Sequence, residues 1–196
     1  MTDGQVIPGP ELPLRIMDHC LLRVNATHIF MAGGRTESYR QLNNAYLLDT
    51  NSGAWRRLPD MRQKRFDHAC AKLPGHEDKI LVVGGPKGTR ERSEVLDLVS
   101  LEWGEGPKDL DKTFGFKLHL VPYGNTLLLV DMGRERRNIM KMDGNAEEFE
   151  EFFQVGKLER SNLLVLPEDY PISCEGQRYV EKEKRSGWER FTSLFS

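Results

Sequence analysis

The stretch "HIFMAGGRT" (residues 28–36) decides how this chain is read. Fifty-one residues after Gly33, Gly84 and Gly85 sit in a near copy, "KILVVGGPK" (residues 79–87). Both hold an apolar run, two glycines, then basic and polar residues. Two readings compete: a phosphate cradle used twice, or punctuation in a repeating unit. A phosphate loop needs GxxxxGK[ST] ahead of a helix, or GxGxxG inside a βαβ unit. Neither glycine pair has that context, so a repeat is the better reading.

With the glycine pairs aligned, much else falls into register. "YLLD" (46–49) meets "VLDL" (95–98), Trp55 meets Trp103, and Pro59 meets Pro107. Upstream, Asp18-His19 meets Asp67-His68. A third, weaker copy follows. "TLLLVDMG" (126–133) keeps one glycine, Gly133, and "NIMKMD" (138–143) replaces "YLLD". Its tryptophan is gone, with Phe149 or Phe152 filling the place. The spacing is about 49 residues, a period typical of stacked units that cannot hide their apolar faces alone.

Each unit reads as four short strands. In the first they are "HCLLRV", "HIFMAGG", "NAYLLDT" and "AWRRL", separated by Asn25, by Gly33 and Gly34, and by "NSG" at 51–53. Such short runs bounded by turn residues predict β-strands, and no window carries a clean helical stripe. Four antiparallel strands repeated at this period predict a propeller blade.

Gly33, Gly34, Tyr46, Asp49, Trp55, Leu58, Met61, Arg65 and His68 stand in the order of a kelch repeat, which the first unit closely resembles. The second keeps Gly84, Gly85 and Trp103 but has Val95 for the tyrosine; the third is degenerate. The resemblance covers residues 14–166. It implies an all-β fold of kelch-type β-propeller blades, about three of them, in an incomplete or open ring. The expected organisation is a remnant of a preceding blade at 1–13, repeats at 14–60, 61–108 and 109–157, the first strand of a further blade at 158–167, and a tail at 168–196, partly disordered or a short helix. Kelch propellers commonly have six blades, so a C-terminal or truncated portion is expected. A homo-oligomer would fit only by completing a ring.

The remaining features bound the function. Net charge is −2, which gives no argument for nucleic acid, and no apolar run is long enough to span a membrane. The three cysteines, Cys20, Cys70 and Cys174, are too few and scattered for a disulfide framework, and no CxxC pair suggests zinc. Cys20 and Cys70 read as small buried hydrophobes in a reduced, cytoplasmic protein. Of the five histidines (His19, His28, His68, His76, His119), His19 and His68 share a repeat position, which predicts a structural hydrogen bond in each blade rather than a metal site. Tyr46, Trp55 and Trp103 recur with the repeat and should pack between blades.

The loops carry the functional signal. In an antiparallel blade the loops after strands two and four share one face of the disc. There the sequence places Arg35, Arg40, Arg62, Lys64, Arg65, Lys87, Arg90, Arg92, Lys108, Lys112, Arg134, Arg136 and Arg137, thirteen bases against seven acids. The opposite face counts nine acids against one base. Arginine forks meet carboxylates bidentately, and Tyr39 beside Arg40 adds amphipathic contact area. The expectation is a non-enzymatic protein–protein interaction module whose basic loops hold an acidic partner segment. The resemblance implies a ubiquitin-ligase substrate adaptor, or alternatively a cytoskeletal, actin-associated scaffold. The ligase role normally takes a BTB or F-box segment, which these residues do not contain. The rival class is an enzyme on a kelch scaffold, such as a galactose-oxidase-like oxidoreductase. Its copper chemistry needs a tyrosine–cysteine pair with histidines; no such set and no GxSxG is found, so no catalytic residue, metal or cofactor is expected.

Overall fold

Three runs of alternating and continuous apolar residues become three four-stranded antiparallel sheets. The first contains β1 (Cys20–Arg23), β2 (His28–Ala32), β3 (Ala45–Asp49) and β4 (Trp55–Leu58). The second contains β5 (His68–Leu73), β6 (His76–Gly84), β7 (Arg92–Asp97) and β8 (Glu102–Lys108). The third contains β9 (Leu118–Tyr123), β10 (Thr126–Asp131), β11 (Arg137–Asp143) and β12 (Glu150–Val155). Strands pair in chain order within every sheet, which is the meander of a propeller blade. The fold is all-β, with no helix among the described residues.

The chain divides into two units, Met1–Leu163 and Leu164–Ser196. The computed structural model describes residues 9–86, 92–108, 118–131, 137–143 and 148–155, all in the first unit, with backbone only at 92, 108, 137–138 and 153–155. The expected strand at 158–167 and the tail lie outside the described residues.

The middle sheet explains why the sequence reads as it does. A strand sends successive side chains to opposite faces. Ile80 and Val82 of β6 therefore enter a core shared with Phe30, Ala45 and Leu47 of the first sheet. Leu81 and Val83 enter a second core, with Leu118, Leu127 and Leu129 of the third. All four β6 residues are essentially inaccessible to water. A sheet covered on both sides has no polar face, so "KILVVGG" is a continuous apolar run rather than an alternation. Each buried aliphatic side chain contributes about 1.5–3 kcal/mol, so neighbouring sheets hold one another. Phe149 is buried in the second core, while Phe152 is half-buried.

The turns at one end of the disc are built twice by the same device. The Asp49 carboxylate accepts the Asn51 N–H (2.9 Å), and the Asp97 carboxylate accepts the N–H groups of Val99 (2.8 Å) and Ser100 (3.0 Å). These bonds hold both carboxyls below the usual carboxylate range. The chain then turns through a left-handed residue, Gly53 (φ 70°) in one case and Leu101 (φ 60°) in the other.

One expectation is overturned. Cys20 and Cys70 are not separate buried thiols: they form a disulfide, with Cα atoms 6.0 Å apart. Fifty positions apart in sequence, they become neighbours because β1 and β5 are the inner strands of adjacent sheets.

Candidate partner-binding face

The joint between the first two sheets positions the loops above it. Gly33 adopts φ 64°, and a Cβ there would come within 2.6 Å of both the Arg65 carbonyl oxygen and the His68 ring. Only glycine lets the end of β2 lie against the next inner strand. Gly34 donates its N–H to the Arg65 carbonyl (2.7 Å), and the Arg65 N–H returns to the Leu42 carbonyl (3.0 Å). The segment entering β5 is thereby zipped to the first sheet. Gly84 plays the part of Gly33 at the next joint: its Cβ would collide with Leu118 at the start of β9.

Arg65 was expected among the partner-gripping cations, and the structure corrects this. Its side chain is fully buried. Nε and Nη2 donate to one Glu94 oxygen (3.1 and 2.9 Å), and Nη1 donates to the Gly84 carbonyl (2.5 Å). Glu94 also accepts the backbone N–H groups of Arg62 (2.7 Å) and Gln63 (3.2 Å). Burial lowers the Arg65 pKa and the Glu94 charge opposes that shift. The pair fastens the first sheet to the second and cannot reach a ligand. Trp103 adds a second fastening: its indole N–H donates to the Pro59 carbonyl (2.9 Å). Trp55, at the same repeat position, is only half-buried. It meets Tyr46 edge-on at 6.4 Å, and its indole N–H finds no partner among the described residues.

The recurrent Asp-His pair has a backbone reason. Asp18 and Asp67 adopt φ 56° and 52°, a left-handed conformation that aspartate tolerates better than most residues. The Asp67 N–H donates to the Asp18 carbonyl (3.1 Å), tying adjacent inner strands together. The hydrogen bond expected on His68 is a further correction: among the described residues neither of its ring nitrogens reaches a partner in bonding geometry, and His19 Nδ1 has none there. Burial and the Arg65 charge push His68 down to about 3, with the Ala32 backbone pulling weakly the other way. Among the described residues no three His, Cys, Asp or Glu side chains converge as a metal site.

Above this joint, the β2–β3 loop and the β4–β5 connection emerge at one end of the disc. Arg35 holds Asp18 through Nε (2.5 Å), and its guanidinium lies over the rings of Phe66 (4.9 Å) and Tyr39 (5.0 Å). Tyr39, at φ 61°, is 70% exposed, so this stack lifts an aromatic ring into solvent. Arg40, Arg62 and Lys64 are exposed nearby, and Arg62 Nη2 donates to the Trp103 carbonyl (2.8 Å). Among the described residues, Arg40 and Lys64 make no ion pair with a carboxylate. Asp18 and Asp67 also stand at this end, two acids that the sequence count left out. Lys87, Arg90, Arg134, Arg136 and Gly133 lie outside the described residues, as do the side chains of Arg92 and Arg137. At the opposite end Glu102, Asp143, Glu148 and Glu150 are exposed. Lys141 there pairs with Glu150 (2.7 Å) and Asp143 (3.8 Å).

Sequence reasoning missed Asp18, Phe66 and Glu94. Asp18 had a signal in its recurrence at Asp67. Glu94 had one in directly preceding the strand run "VLDL", and Arg65 one in replacing the apolar Ile16 of the unit before.

No family model matches the chain. An F-box/kelch-repeat protein of Arabidopsis thaliana is 32% identical to it over 110 residues, which are 53% of this chain and 28% of the relative. A second F-box/kelch-repeat protein of the same plant is 36% identical over 62 residues, 32% of this chain and 16% of the relative. The chain is similar to kelch-repeat proteins. The likeness and the three meander sheets agree: the glycine pairs of this kelch-like chain sit at blade joints, and the loops beside them form the candidate face. The chain spans less than a third of the length of each relative it matches.

Proposed function

We propose that this kelch-like chain is a protein-interaction module that takes an acidic segment of a partner protein on the loop face carrying Arg35, Tyr39, Arg40, Arg62 and Lys64. The observation that carries the reading is the arrangement at the first joint. Asp18 and Glu94 are engaged by Arg35 and Arg65, while Arg40 and Lys64 stand exposed on two successive loops beside an exposed tyrosine. Exposed cations around a rigid aromatic are the composition of an interface hot spot. The excess charge would mainly steer encounter and select against basic partners.

The F-box/kelch relatives support a partner-binding, non-enzymatic role in general, and favour a ubiquitin-ligase adaptor over an actin-associated scaffold. In that reading the propeller loops select the protein to be modified.

The test is fluorescence anisotropy of a labelled glutamate-rich peptide against the full chain and Arg40→Glu/Lys64→Glu. Binding that weakens with salt and falls at least tenfold in the variant, at unchanged Tm, supports the proposal. Equal binding by both proteins, or none by either, overturns it.

A further inference from the structure

The Cys20–Cys70 disulfide joins the two inner strands directly beneath the candidate face. Cys20 pairs with Ala32, the residue before Gly33, and Cys70 pairs with Val82, two residues before Gly84. The Cα separation of 6.0 Å is one that a disulfide spans. The same joint has fastenings that do not depend on oxidation: the Arg65–Glu94 pair, the Trp103–Pro59 bond, the Asp67–Asp18 backbone bond, and an apolar layer containing Phe30, Leu47, Ile80 and Val82. The blades therefore remain docked when the sulfurs part. The two residues also differ in access: Cys20 is 6% exposed, whereas Cys70 is only partly buried. A small thiol meets Cys70 first.

We infer that Cys20 and Cys70 form a reversible thiol switch, in which oxidation tightens a blade joint that stays assembled in both states. The inference is independent of what the loop face binds. The reaction is exchange with a small-molecule disulfide of the glutathione type. The Cys70 thiolate attacks one sulfur of the oxidant, giving a mixed disulfide and releasing one small thiolate. The Cys20 thiolate then attacks the Cys70 sulfur and releases the second. Two protein thiols are oxidised to one disulfide, one small disulfide is reduced to two thiols, and reduction runs the same steps backwards.

The experiment uses the full chain in buffers of graded reduced-to-oxidised glutathione ratio, with alkylation, peptide mapping and thermal melts. In oxidising buffer the Cys20 and Cys70 peptides should appear linked, two hydrogens lighter than the dithiol, with Cys174 alkylated. In reducing buffer the link should vanish and a cooperative melt persist, lower by about 10 °C as expected for constraining a loop of this length. Cys20→Ser and Cys70→Ala should each melt at the reduced temperature whatever the buffer, and Cys174→Ser should behave as the parent. Free thiols in every buffer, a link made by Cys174, a link that survives the most reducing buffer, or loss of the cooperative melt on reduction would each overturn the inference.

Discussion

The guanidinium of Arg65 and the carboxylate of Glu94 meet at 2.9 Å with side chains 0% and 4% exposed, across the joint between the first two blades. Arg65 stands in the connection between β4 and β5, where its backbone is bonded to Gly34 and Leu42, and Glu94 belongs to β7, so the pair locks that connection onto the second sheet. Removing one partner leaves a buried charge uncompensated. Arg65→Met should cost about 3–5 kcal/mol, read as a lowered urea midpoint. Adding Glu94→Met should recover part of the loss. Recovery stays incomplete because Glu94 also satisfies the Arg62 and Gln63 N–H groups. Single and double variants of equal stability to the parent would contradict this account.

The two tryptophans separate a hydrogen bond from an equal change in size. Trp103→Phe removes the donor to Pro59, whereas Trp55→Phe removes a donor with no described partner. The first change should cost at least about 1 kcal/mol more than the second. Chemical denaturation of both variants checks it, and equal losses would show that the Pro59 bond contributes nothing.

Glycine matters at Gly33 for two reasons and at Gly124 for one. Both have positive φ, but a Cβ at Gly33 strikes the Arg65 carbonyl and the His68 ring, while one at Gly124 meets nothing within 4 Å. Gly124→Ala should cost about 1–2 kcal/mol from conformation alone. Gly33→Ala should cost about 3 kcal/mol or more once the clash is added. Comparable thermal shifts in the two variants would remove the close-approach argument.

His68 should make the fold sensitive to mild acid. Its pKa is about 3 in the folded chain and 6.5 when solvated. Below pH 6.5 the unfolded chain therefore binds a proton that the folded chain refuses. This contribution is fully present above pH 6.5 and is lost progressively as pH falls toward 3. The folding constant should drop up to about tenfold per pH unit from this group. Burial shifts His19 and His119 in the same direction. Urea midpoints at pH 7.5, 6.5 and 5.5 measure the trend, and His68→Leu should flatten it. A midpoint rising toward pH 5.5 would contradict it.

Much of the fold was written locally. The return of Gly33-Gly34 at Gly84-Gly85, of Trp55 at Trp103 and of Asp18-His19 at Asp67-His68 follows from stacking one unit on another, because each copy must offer its neighbour the same close approach. Apolar period and turn residues place the strands for the same reason. The candidate face was legible only as loops of stated charge. Strand alternation puts Arg35, Arg40, Arg62 and Lys64 at one end, but charge alone says nothing of which cations are already engaged.

The sequence by itself determined that this chain is a stack of four-stranded units resembling kelch repeats, since backbone pairing and side-chain alternation are properties of short segments. Only the tertiary structure decided that Arg65 is buried on Glu94, that Arg35 is spent on Asp18 beneath Tyr39, that the His68 ring finds no hydrogen-bond partner among the described residues, and that Cys20 meets Cys70. Each joins residues 17 to 50 positions apart or depends on what covers them. Burial, pairing and charge are settled by which blades touch, a relation that no single segment encodes.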